Sequence, residues 1–162
     1  MEIYILRHGI AEDAPAGQPD SERSLTSDGR KKLRSVLRVA ASAGVAPSLV
    51  LSSPYKRALQ TAQLAVEILE YQGELLRTKA LEPSSAPKAV WDEIRVHKDE
   101  PRILLAGHEP LFSRLTAYLL GSPNLQVDFK KGAIACIELE RFPAEPHGVL
   151  RWLLTSKLAG GQ

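Results

Sequence analysis

Three short apolar runs punctuate the chain: Ile3-Tyr4-Ile5-Leu6, Leu49-Val50-Leu51 and Ile103-Leu104-Leu105-Ala106. Unbroken apolar runs of this length, bounded by small or polar residues, suit strands buried on both faces, and predict strands over Glu2–Arg7, Leu49–Ser52 and Ile103–Gly107. The intervening segments have helical spacing. Thr26-Ser27-Asp28-Gly29 supplies capping residues ahead of Leu33, Val36, Leu37 and Ala40, and Gly44 is placed to stop that helix. Pro54 suits the first turn of a second helix, whose face of Ala58, Leu59, Ala62, Leu64, Ala65 and Ile68 runs to about Tyr71. A third helix is expected over Ala86–His97 and a fourth from Pro110 to about Leu120. The tail changes character: Ala133–Glu140 and Val149–Thr155 read as an antiparallel strand pair joined by the proline-containing segment Arg141–Gly148. Alternating strands and helices ending in this way predict an α/β fold, a three-layer α/β/α sandwich with a mostly parallel central sheet and an antiparallel strand.

The length of 162 residues is enough to bury a substantial core and predicts one domain over residues 1–162. A formal charge of +2 leaves no bulk electrostatic drive toward nucleic acid or an anionic membrane, so anion binding must come from local clustering. Cys136, the single cysteine, lies in an apolar stretch and reads as a small buried hydrophobe. The first residues enter a strand pattern directly, without the basic and apolar regions of a secretory signal, and no window has the apolar length of a membrane-spanning helix. The cytoplasm is the simplest expected location.

The chemistry lies where the apolar runs stop. Arg7-His8-Gly9 follows the first, Ser52-Ser53-Pro54 with Arg57 and Thr61 follows the second, and Gly107-His108-Glu109-Pro110 follows the third. In a parallel sheet such strand ends gather at one edge, where open α/β sheets bind ligands. Each residue alone has a plainer reading: His108 as a helix cap, Arg57 as a solvated arginine, His8 as half of a surface pair. Together, Arg7, His8, Arg57 and His108 would form a cationic pocket whose guanidinium forks suit phosphoryl oxygens. One histidine could then attack phosphorus while the other stabilises the growing charge. The polar loop Ala11–Ser24 directly follows His8, in a position where long loops often build sites.

In order and spacing, Leu6-Arg7-His8-Gly9, Leu25-Thr26-x-x-Gly29, Ser52-Ser53-Pro54-x-x-Arg57-Ala58-x-x-Thr61 and Gly107-His108 resemble the motif series of the histidine phosphatase superfamily. The short length, the Leu81-x-Pro83 segment and Lys131-Gly132-Ala133-Ile134-Ala135 resemble its SixA-type phosphohistidine phosphatase branch. The resemblance implies a phosphoglycerate mutase-like fold, His8 as nucleophile, and Arg7, Arg57 and His108 as catalytic and phosphate-binding groups. Arg23 resembles an arginine that SixA-like proteins carry before the Leu-Thr pair, and is a candidate substrate or phosphate contact. No cofactor and no metal are implied. The partner expected is a phosphohistidine-bearing protein, such as a histidine phosphotransfer domain, or a small phosphorylated metabolite.

The proton donor is where this sequence departs from better-known members. Glu82 and Glu109 are the candidates for the general acid, and neither matches firmly. A phosphohistidine substrate tolerates that, because the conjugate acid of imidazole has a pKa near 6.5 and imidazole leaves far more readily than an alkoxide. The alternatives carried forward are a small-molecule phosphomonoesterase using the same pocket with Glu82 as acid, and a non-enzymatic phosphate-binding adaptor. His97 and His147 sit in surroundings without metal-ligand spacing.

Overall fold

The computed structural model describes residues 1–160. Its strands are β1 (Glu2–Arg7), β2 (Leu49–Ser52), β3 (Leu75–Arg77), β4 (Arg102–Gly107), β5 (Ile134–Glu138) and β6 (Val149–Leu154). Its α-helices are α1 (Ser27–Ser42), α2 (Lys56–Ile68), α3 (Pro87–Val96) and α4 (Leu111–Leu119). The strands form one sheet in the order β3-β2-β4-β1-β5-β6. β3, β2, β4 and β1 run parallel, β5 pairs antiparallel with β1, and β6 pairs antiparallel with β5. This is the expected α/β sandwich with an antiparallel pair at one side.

Alternation along the strands sends side chains into two cores. Ile3, Ile5, Ile103, Leu105, Ala135 and Ile137 pack with Val90, Trp91 and Ile94 of α3 and Leu111, Phe112 and Leu115 of α4. Tyr4, Leu6, Val50, Leu104, Ala106 and Cys136 face Leu33, Val36 and Leu37 of α1 and Ala62, Leu64 and Ala65 of α2. With both faces covered, the central strands have no wet side, which explains their unbroken apolar character. Cys136 is buried as expected, and desolvation pushes its thiol up to about 11.

Four local expectations are corrected. β3 was not foreseen, because a three-residue, half-buried strand at the sheet edge carries only two apolar residues. Pro54 and Pro110 precede their helices: α2 opens at Lys56 behind the N-cap Tyr55, and α4 opens at Leu111 behind the N-cap Pro110. α2 also stops at Ile68, short of Tyr71, where Glu70 turns to a positive φ of 54°. The tail strands are slightly shorter than predicted, at Ile134–Glu138 and Val149–Leu154.

Candidate active site

Backbone pairing continues past the ends of β1, β2 and β4 and pins the residues that follow. The His8 N–H donates to the Gly107 carbonyl at 2.9 Å, its carbonyl accepts from the Gly132 N–H at 3.0 Å, and Ser53 N–H donates to the Ala106 carbonyl at 2.9 Å. His8 is thus clamped between the end of β4 and the turn entering β5. α1 comes close to the segment beyond His8: a Cβ on Gly29 would collide with the Ile10 carbonyl, and one on Gly9 would meet the Leu33 side chain. Glycine at both places permits that approach.

Three of the four predicted pocket residues are buried: His8 is 6% exposed, Arg57 5% and His108 1%. The two imidazole rings lie 5.2 Å apart. His8 Nδ1 is 2.7 Å from its neighbour's acceptor, the Gly9 carbonyl, and must carry the proton there. Nε2 therefore keeps its lone pair, which accepts from Arg57 Nε at 3.3 Å. His108 Nε2 is 2.8 Å from Ser53 Oγ, which itself accepts from the Tyr55 N–H at 3.2 Å. When the serine hydroxyl donates to Nε2, Nδ1 of His108 carries the proton and is the ring's free donor. That Nδ1 and Arg7 Nε are both buried without a hydrogen-bond partner among the described residues. Buried unpaired donors are rare and costly, and here both belong to groups expected to meet an anion.

Burial holds both imidazoles neutral. Desolvation, opposed by the Gly9 hydrogen bond and reinforced by Arg57, Arg7 and Lys131, lowers His8 to about 3. Desolvation, then repulsion from a protonated His8 and from the Arg57 and Arg7 guanidinium groups, lowers His108 to about 2. Burial lowers Arg7 as well, against the opposing charges of Glu109 and Asp128, and its Nη1 donates to the Phe129 carbonyl at 2.6 Å. That carbonyl is available because β5 is antiparallel: the segment leading into it arrives at the edge where the parallel strands end.

The Ala11–Ser24 loop is closed at its base by a bridge between Ala11 and Leu25. It delivers a residue that sequence reasoning missed. Asp20 accepts from Arg57 Nη1 through its carbonyl and from Nη2 through Oδ2, both at 3.0 Å, while Oδ1 accepts from Arg23 Nη1 at 3.2 Å. Burial would raise the Asp20 carboxyl, but the two guanidinium groups outweigh it and hold it below the usual carboxylate range. Arg23, a sequence candidate, thus joins the pocket through Asp20 and also donates to the Glu12 carbonyl at 2.8 Å. The spacing of Asp20 and Arg23, three residues apart in a polar loop, was the available signal. Tyr55 was missed too: it lies edge-on to His108 at 5.1 Å, with the Arg57 guanidinium 5.2 Å from its ring centre.

The two acid candidates differ. Glu109 Oε1 accepts the Ser113 N–H at 2.5 Å, capping α4, and its charge is felt at Arg7. Glu82 follows a short 3-10 turn, Lys79–Leu81, whose Leu81 carbonyl abuts Gly107, and its carboxylate makes no hydrogen bond or ion pair among the described residues. Neither is joined to a histidine. No group of three or more His, Cys, Asp or Glu side chains is placed to hold a metal among the described residues, and no helix is long and apolar enough to cross a membrane.

Comparison with known proteins accords with this arrangement. The model of the histidine phosphatase superfamily (branch 1) matches residues 3–81. An uncharacterized protein of a Picosynechococcus species is 30% identical over 136 residues, covering 83% of this chain and 82% of its own. The chain belongs to the histidine phosphatase superfamily. Within it the protein is SixA-like: the protein histidine phosphatase SixA, solved with tungstate, superposes with a TM-score of 0.87 at 26% identity, covering 97% of this chain and 98% of that one. The α-ribazole phosphatase of Shigella flexneri shares the fold, with a TM-score of 0.73 at 19% identity over 96% of this chain and 97% of its own.

Proposed function

We propose that this phosphatase removes phosphoryl groups from protein histidine by way of a phosphohistidine formed on His8. The observation that carries the reading is the His8 ring itself: buried, neutral, locked by Gly9 so that the Nε2 lone pair faces Arg57, with the His108 ring 5.2 Å away. In the first step Nε2 attacks phosphorus and the bond from phosphorus to the substrate imidazole breaks; that ring, already protonated on its other nitrogen, leaves as neutral imidazole. Arg57 Nε shifts its hydrogen bond from Nε2 to a phosphoryl oxygen as the lone pair is used. Arg7 Nε and His108 Nδ1, the two unpaired donors, hold the other equatorial oxygens where charge accumulates. In the second step water attacks phosphorus, the bond to Nε2 breaks, and inorganic phosphate leaves with the lone pair restored.

The weakly engaged carboxylates favour phosphohistidine over an alkyl ester, since an imidazole leaving group needs little acid assistance. The SixA relative solved with tungstate supports the same class of substrate anion, and tungstate or vanadate is expected to compete at Arg7, His8, Arg57 and His108. A small-ester phosphatase is the second reading, supported by the ribazole phosphatase likeness and by the unengaged carboxylate of Glu82. The test is turnover of a phosphohistidine peptide, p-nitrophenyl phosphate and a sugar phosphate panel side by side. Wild type should prefer the peptide and form an acid-labile, base-stable phosphoenzyme, and His8→Ala should do neither. Faster turnover of a sugar phosphate than of the peptide would reject the protein substrate, and substantial hydrolysis by His8→Ala would reject the covalent route.

A further inference from the structure

An open groove of about 650 Å³ adjoins the pocket and shares Arg7 with it; Ile10, Lys32, Lys130, Lys131 and Lys157 also line it. None of its lining residues is acidic. The concentration of positive charge is local, because the whole chain carries a formal charge of only +2. Two of the lysines are matched from outside the groove, Lys32 by Asp28 at 3.2 Å and Lys130 by Asp128 at 3.1 Å. Lys131 and Lys157 are exposed and have no carboxylate partner among the described residues.

Topology explains how residues so distant in sequence meet. Leu6 of β1 pairs with Ile134 of β5, and Ile134 pairs with Leu154 of β6. The end of β1, the start of β5 and the end of β6 therefore share one sheet edge, carrying Arg7, Lys131 and Lys157 in a row. Neighbouring strands are about 4.8 Å apart, so the end of β6, which leads to Lys157, lies roughly 10 Å across the sheet from the end of β1. An extended peptide rises about 3.3 Å per residue, and a side chain two to four positions from a phosphohistidine would reach the row.

Resting on the function proposed above, we infer that this groove is a docking site for the acidic side chains flanking phosphohistidine in the partner protein, with Lys131 and Lys157 as the residues that select them. The charge is displayed for carboxylates beyond the reacting group, while Arg7 serves the phosphoryl group.

The test uses two phosphohistidine peptides that differ only in carrying glutamate or glutamine at positions two to four from the histidine. The readout is the ratio of their kcat/KM values for wild type and for Lys131→Gln/Lys157→Gln, with Lys157→Gln alone as a variant remote from His8. Wild type should favour the glutamate peptide about five- to tenfold at low salt, the size expected of two solvent-facing charge pairs. The preference should fall below twofold in the double variant and in high salt. An equal wild-type ratio, or a preference that survives in the double variant, overturns the inference. So does selective loss by the double variant of activity on a doubly phosphorylated sugar with no peptide preference, which would assign the groove to small anions. Lack of turnover of both phosphohistidine peptides would instead reject the underlying function. The groove would still be read by the unphosphorylated glutamate peptide, which should inhibit p-nitrophenyl phosphate hydrolysis by wild type and not by the double variant; failure to inhibit overturns the docking site.

Discussion

Ser53→Ala isolates the group that aims His108. The serine is fully buried, and the substitution removes one oxygen, deleting the 2.8 Å partner of His108 Nε2 and the acceptor of the Tyr55 N–H. Because His108 Nδ1 is already without a partner, the variant leaves a buried imidazole with no partner on either nitrogen. Orphaning a buried polar group costs about 1–3 kcal/mol, and a domain of this size loses roughly 2–4 °C of Tm per kcal/mol. Thermal unfolding should therefore shift down by roughly 2–12 °C while remaining cooperative. For catalysis the loss is one of orientation: without the serine hydroxyl the ring is free to exchange tautomers and rotate. If its donor is worth about 1.4–2.7 kcal/mol in the transition state, kcat/KM falls about 10- to 100-fold. Nitrogen-15 NMR of the histidine rings supplies the discriminating readout, since wild type should show the proton on Nδ1 of His108 and the variant a mixture. An unchanged tautomer with activity within twofold of wild type would refute the assignment of Ser53 as the positioning residue.

Acid should weaken the fold through the same two rings. His8 is held to about 3 and His108 to about 2, so below pH 6.5 the unfolded chain binds protons that the folded one refuses, and stability falls as pH drops toward 3. The slope reaches about 1.4 kcal/mol per pH unit for each ring; urea midpoints at pH 7 and 4.5 should fall less in His8→Asn/His108→Asn than in wild type, and equal slopes would sink the idea. Asp20→Ala should cost under about 1 kcal/mol of stability, because the carboxylate is exposed, while tightening vanadate inhibition a few-fold by freeing the Arg57 fork; weaker inhibition would show instead that Asp20 positions the arginine. Glu82→Gln and Glu109→Gln should each lower phosphohistidine turnover less than tenfold. General acids typically supply about 10²–10⁴-fold, so a several-hundredfold loss in either variant would identify a dedicated proton donor and favour the small-ester reading.

Most of the scaffold could be read from local pattern, because both faces of β1, β2 and β4 are covered and their apolar runs are unbroken. The capped start of α1 was equally legible, with Thr26 Oγ1 accepting from the Gly29 N–H at 2.8 Å. The four pocket residues were legible because each follows a recognisable run. What escaped depends on contacts across the chain. Asp20 is an ordinary loop carboxylate until the loop folds back onto α2, and Ser53 acquires its role only when β4 brings His108 beside it. The lysine row was likewise invisible, since it needs the register between β5 and β6. β3 was lost for a different reason: two leucines at a sheet edge give no periodicity to count.

The strand order also dictates when this enzyme can exist. β1 leads directly into His8, the proposed nucleophile, yet its two neighbours are residues 102–107 and 134–138, while β2, the next strand made, does not pair with it. At about 5–20 residues per second of synthesis, roughly 100 residues and 5–20 s separate the emergence of β1 from that of its first partner. During that interval the apolar segment Ile3–Leu6 has no strand to pair with, a hazard that long-range pairing imposes on slow-assembling sheets. A chain halted before β4 holds His8 but neither His108 nor the carbonyl of Gly107 that fixes it. Phosphatase activity regained during refolding would consequently register the closing of the whole sheet, making the reaction itself a kinetic probe of late assembly.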